Sequence, residues 1–152
     1  MVKTIAVAAV LAGLIACSGT DDHVDRPPST VAFDDTDALL YVEIADQPEE
    51  QRRGLMGVEN LPADQGMAFA YEEPVSHTFW MKDTLIPLTV AFVDEAGRVI
   101  GVLDMQPCEA DPCPSYGVDE PYVLAIESNL GWFDDHGIEA GDRVELRVMA
   151  YQ

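Results

Sequence analysis

Phe79-Trp80-Met81-Lys82-Asp83-Thr84-Leu85-Ile86-Pro87-Leu88 runs straight into Thr89-Val90-Ala91-Phe92-Val93. The second part is β-branched and aromatic with no polar alternation, the composition of a strand. The first part sets a tryptophan, a lysine and an aspartate beside apolar bulk. It reads as the corner that feeds the strand, and as a place where a site could form. Strand-like runs recur on both sides of it: Leu39–Ile44, with Leu40, Val42 and Ile44 on one face, Gly66–Tyr71, Ser76–Met81 and Pro87–Asp94. Further on come Arg98–Leu103, Tyr122–Glu127 and Arg143–Ala150, while Glu72-Glu73-Pro74 reads as a break. Asp94-Glu95-Ala96-Gly97 supplies hairpin chemistry, with glycine where a left-handed residue is wanted. Two helix signals stand out. Asp46 as a cap, Pro48 in the first turn and Glu49-Glu50 near the positive end predict a helix from Pro48 to Arg53 or Met56. Asn129 is placed to cap a second, through Trp132–His136, which Gly137 ends. The pattern predicts an α+β fold, mostly antiparallel β, in a small barrel-like domain with two short helices over residues 38–152.

The N-terminus has a different character. Lys3 precedes an apolar run from Ile5 to Ile15 that is too short for a permanent span, the form of an export signal over residues 1–16. Leu14-Ile15-Ala16-Cys17 resembles the lipobox of bacterial lipoproteins, which implies cleavage before Cys17 and acylation of that residue. Residues 17–37, with Pro27-Pro28, Asp21-Asp22 and Asp34-Asp35, then read as the lipidated cysteine and a disordered tether. The expected location is the cell envelope, on the extracytoplasmic side of a bacterial membrane, held by lipid on Cys17. The 152-residue chain has 8 basic and 28 acidic side chains, a formal charge of −20. Such a surface excludes nucleic acid, because phosphate binding needs clustered Lys and Arg. A self-repelling surface also suits a monomer.

Cys108 and Cys113 sit in Pro107-Cys108-Glu109-Ala110-Asp111-Pro112-Cys113-Pro114, a turn-rich loop in a chain expected to be exported. A structural disulfide is predicted. A redox pair would need a basic neighbour to lower a thiol pKa, and zinc would need two more ligands nearby; the loop has neither. Met56, Met67, Met81 and Met105 could hold Cu(I) through their thioethers, with His77 close to Met81. Each lies in an apolar run, so packing is the simpler reading. No cofactor or metal site is predicted. Lys82 and Asp83, with His77, are the candidates for acid–base chemistry. The alternative for Lys82 is a salt bridge to Glu127 or Asp142. Trp80 and Trp132 are read as core, with an aromatic platform for a ligand as the alternative. Arg52-Arg53 could clamp an anionic group. The candidate site is thus Trp80, Lys82, Asp83, His77, Glu127 and Asp142.

Gly54-Leu55-Met56, Gly66-Met67-Ala68-Phe69, Phe79–Thr84 with Pro87-Leu88, Tyr122-Val123-Leu124 through Glu127, and Gly137-Ile138 with Gly141-Asp142 occur in an order that resembles the bacterial and archaeal family called domain of unknown function 192. The resemblance covers about residues 38–150 and implies a compact β-rich domain of no agreed activity. The chain departs from the family at two places: Asp83 stands where asparagine is usual, and Thr89 where aspartate is frequent. Three functions follow as expectations. The first is a membrane-anchored binding or accessory module. The others are an enzyme built on His77, Lys82 and Asp83, and copper handling by the methionines.

Overall fold

The computed structural model describes residues 29–34 and 36–149. The signal segment, Cys17 and the first part of the expected tether lie outside them. Among the described residues nine strands and two helices follow in chain order: β1 (Ser29–Phe33), β2 (Leu39–Ala45), α1 (Pro48–Arg53), β3 (Gln65–Val75), β4 (Phe79–Trp80), β5 (Leu88–Val93), β6 (Val99–Met105), β7 (Ser115–Tyr116), β8 (Tyr122–Asn129), α2 (Trp132–Asp135) and β9 (Val144–Arg147). Seven strands form one sheet in the order β6-β5-β8-β3-β2-β1-β9, and β4 pairs with β7 in a separate ribbon. Every pairing is antiparallel except β2 with β3, where α1 forms the crossover that parallel neighbours require. The α+β, mostly antiparallel, half-barrel architecture is the one the sequence predicts.

The tether assignment needs correction. Ser29–Phe33 is a strand paired with β2 on one side and β9 on the other. Ser29, Val31 and Phe33 alternate inward and are buried. Three inward residues are a short period-two signal, and the prolines before and aspartates after hide it.

The sheet curls until its two edge strands meet at one end. Arg98 and Arg143 form a bridge there. Backbone bonds from Val99 to Asp142 (2.9 Å), Gly141 to Val99 (2.8 Å) and Val144 to Gly97 (2.9 Å) complete the stitch. Inside the curl lies one apolar layer, including Val31, Leu40, Val42, Ala91 and Ile126, closed by Phe33, Trp132 and Phe133. The last three pack ring to ring with centroids 5.3–6.0 Å apart. On the outer face of β3, β5 and β8 lies a second layer of Met67, Phe69, Leu88, Val90, Phe92 and Tyr122, with Met81 and Met105. β5 is buried at all six positions because both its faces are covered. That is why its sequence shows no alternation.

Other local expectations shift. β3 continues through Glu72-Glu73-Pro74 to Val75, its pairing with β8 irregular between Ala70 and Val75, where a proline without an N–H costs no ladder bond. The strand expected over Ser76–Met81 shrinks to Phe79–Trp80. Gln47, not Asp46, caps α1, in a capping box with Glu50. Gly131 precedes α2 in a left-handed conformation. Asn129 instead donates Nδ2 to the carbonyls of Leu61 (3.1 Å) and Pro62 (3.0 Å).

Candidate functional site

Three pieces of chain meet over the outer face of the sheet: α1 with its exit turn, the Phe79–Thr84 segment, and the end of β8. The Gln51 side chain fixes α1, donating Nε2 to Ala45 O (3.2 Å) on β2 and Ala70 O (3.0 Å) on β3. Gly54 turns the chain with φ 48°, and a Cβ on it would stand 3.3 Å from the Phe69 ring, so both conformation and space favour glycine. Leu55 then drops into the outer layer. Opposite, Thr84 closes a tight turn by donating its N–H to Met81 O (3.2 Å). Asp83 has φ 55° and accepts the Gly57 N–H on its carbonyl (2.9 Å). Asn and Asp are the non-glycine residues that best tolerate this conformation. Aspartate is therefore a residue that this left-handed position accepts.

Between these pieces is a cavity of about 40 Å³, lined among others by Arg52, Arg53, Leu55, Phe79, Trp80, Thr84 and Glu127. The Arg53–Met56 turn separates it from a larger groove of about 430 Å³ along Glu43, Asn60 and Gln65. Glu127 is the unusual member. On β8 it pairs with Met67 of β3 and Val90 of β5. It is 5% exposed, inside the outer apolar layer. Burial alone pushes its carboxyl up from the usual 4.5 to about 8, with no hydrogen bond or basic neighbour to oppose the shift. No donor among the described residues reaches the Glu127 carboxyl, yet its oxygens are not sealed away, so they open on the cavity. Close by, burial holds the Tyr71 hydroxyl above its usual range; a hydrogen bond to Tyr122 opposes this and the Glu127 charge adds to it. Tyr122, raised by burial and by Tyr71, donates its hydroxyl to His77 O (3.0 Å).

The predicted site residues separate. Trp80 and Glu127 line the one cavity. Trp80 is 50% exposed, which corrects its assignment to the core, whereas Trp132 is buried as expected and donates Nε1 to Asp64 (3.2 Å). Lys82 lies over the Trp80 ring, Nζ 5.5 Å from its centroid. Among the described residues it forms no ion pair with Glu127 or Asp142, since the one salt bridge there joins Arg147 to Glu145. Asp142 sits in the turn at the sheet's stitched end, accepting the Glu139 N–H (2.8 Å). The His77 ring packs edge-on against Tyr71, 5.5 Å away. No hydrogen bond joins His77, Lys82 and Asp83 to one another. Arg52, Arg53 and Thr84 complete the cavity, of which the sequence reading singled out only the arginines.

Cys108 and Cys113 form the predicted disulfide, Cα atoms 5.4 Å apart. Met67, Met81 and Met105 are buried in the outer layer, and Met56 lines the cavity. Among the described residues no three His, Cys, Asp or Glu side chains converge on a metal-sized site. Thr89, the second departure from the family pattern, has a structural task. Its hydroxyl donates to Asp104 (2.7 Å) and accepts the Gly131 N–H (2.8 Å), tying β5 to β6 and to the start of α2.

The model of domain of unknown function 192, described as Uncharacterized ACR, matches residues 30–146. The fold is similar to that of a protein of unknown function from Novosphingobium aromaticivorans DSM 12444, with 32% identity, 78% of this chain and 83% of that one covered, and a TM-score of 0.69. It is also similar to a candidate transcription regulator from Sinorhizobium meliloti 1021, at 27% identity, 81% and 96% coverage, and a TM-score of 0.70. No curated protein matches the chain. A family match that begins in β1 and ends in β9 takes in every element of the sheet, and the chain belongs to the domain of unknown function 192 family.

Proposed function

We propose that this protein is a lipid-anchored ligand-binding module of the bacterial cell envelope, taking a small ligand in the cavity between α1 and the Phe79–Thr84 segment. One observation carries the binding role: Glu127, an ionisable side chain 5% exposed in an apolar layer, faces a cavity instead of a partner. Leaving a carboxyl so placed costs free energy that a ligand can recover. Trp80, half exposed at the same cavity, adds an aromatic surface of the kind ligand pockets use. The lipobox at Cys17 supports the anchor, and the Cys108–Cys113 disulfide suits an oxidising compartment. With a formal charge of −20, the chain is a poor match for DNA, and the regulator role named for the Sinorhizobium protein stays with that protein.

Two experiments test this reading. Acyl labelling in cells should be lost in Cys17→Ala, with the protein moving to the soluble fraction; unchanged labelling would remove the anchor. Amide NMR of the full chain against a library of small metabolites should give binders that shift Arg52–Met56, Thr84 and Glu127. Binders that perturb only other residues would remove the pocket.

A second reading, an enzyme, is favoured by one observation. A carboxyl with a pKa of about 8 at the floor of a cavity holds its proton at neutral pH, as a general acid must. In that reading Glu127 replaces the unconnected His77, Lys82 and Asp83. Conversion of any NMR binder, lost in Glu127→Gln, would establish it.

A further inference from the structure

The cavity over Glu127 sets an acidic group and a basic pair at separate places, and the carboxyl, neutral while nothing pairs with it, ionises when a cation is seated on it. Its floor is the Glu127 carboxyl, walled by apolar neighbours and bonded by no donor among the described residues. Its rim carries Arg52 and Arg53 on the last turn of α1, both exposed, and neither forms an ion pair among the described residues. The arginines leave the floor uncompensated, because burial alone sets the carboxyl's environment. A ligand of one charge would satisfy one end and leave the other open. The space is about 40 Å³. Since one ordered water needs roughly 10–15 Å³, it admits a charged head of a few heavy atoms, and the rest of a ligand must lie across the rim. The Trp80 ring adds an aromatic wall along which the methylenes of a ligand can lie.

We infer that the cavity takes a small zwitterion, its primary ammonium seated on Glu127 and its carboxylate on Arg52 and Arg53, the chemistry of an unbranched amino acid. This rests on the pocket proposed above and specifies its ligand. On binding, the Glu127 carboxyl releases its proton to solvent, and the ammonium offers three donors to the two carboxylate oxygens. The guanidinium forks meet a carboxylate in the geometry that makes such pairs strong.

Isothermal titration of the full chain in detergent, with glycine, β-alanine, γ-aminobutyrate and ε-aminocaproate, tests the inference and reads the spacing between the two charged ends. At least one of these should bind, with caproate and hexylamine, which carry one charge each, weaker by about tenfold or more. Glu127→Gln and the double variant Arg52→Ala with Arg53→Ala should each weaken it by about tenfold or more, circular dichroism confirming the fold. No binding by any amino acid overturns the zwitterion. So does tighter binding of caproate or hexylamine, although loss of that binding in Glu127→Gln would leave the pocket standing. Binding that neither variant changes overturns the zwitterion and the pocket together.

Discussion

Glu127 is where the physical chemistry of single residues speaks most directly. In the folded chain its carboxyl holds a proton up to about pH 8, while the unfolded chain releases it near 4.5. The folded state therefore binds more protons between these values, so this group's contribution to stability is full below about pH 4.5, falls as pH rises through the window, and levels off above about pH 8. The shift corresponds to a few kcal/mol, on the order of 1.4 per pH unit. Glu127→Gln stays neutral throughout, so its advantage over the parent should open between these two pH values. Urea unfolding of both proteins at pH 4.5 and about pH 9 measures it; parallel pH curves would show an ionised, partnered carboxyl. Arg52 and Arg53 at the rim and Tyr71 nearby are present in both proteins, so the comparison isolates the carboxyl. The sequence hides all this. With a predicted strand ending at Glu127, a charge looks like a terminus. Because β8 continues to Asn129, the same residue becomes interior. Asp83 is the opposite case, since its place in a family-like motif is legible while its left-handed backbone is not.

Among the elements, the close approach of β3 to β8 is the most demanding. A Cβ on Gly66 would lie 2.1 Å from the Glu127 carbonyl oxygen and 3.2 Å from Leu40, where no flexible side chain alone can make room. Gly66→Ala should destabilise the fold by about 3 kcal/mol or more, read as a lower urea midpoint. The same crowding sets the height of the Glu127 backbone, so this variant should also disturb ligand binding. Strand existence was largely readable because β2, β5, β6 and β8 are dense in apolar residues, β-branched above all in β5 and β6. Strand ends were not. Pro74 and its two glutamates look like a break but fall at an irregular stretch of pairing. Asn129 looks like a cap but is needed to hold the Leu61-Pro62 loop. Both outcomes depend on neighbours far away in the chain, which a local pattern does not contain.

Taken whole, the molecule is a curled sheet with an apolar layer on each side of its central strands, and the candidate site belongs to the outer one. Class and rough architecture were legible from spacing and turns. The second layer was not, because a fully apolar run such as Leu88–Val93 does not say which of its faces meets what. The disulfide pins the long β6–β7 connection that helps cover that outer layer. By loop closure alone, replacing Cys108 and Cys113 with serine should cost about 2 kcal/mol in unfolding experiments while leaving the sheet intact. The N-terminal strand lies between two others, antiparallel to both. A chain held by residues before Ser29 is therefore pulled along the axis of β1. Load enters as shear across two hydrogen-bonded ladders at once, and many bonds must fail together, whereas an edge pulled sideways opens one bond at a time. Single-molecule stretching from the N-terminus should accordingly meet higher rupture forces than stretching across the strands, so an anchor at Cys17, as proposed, would make β1 a mechanical mount as well as a part of the core.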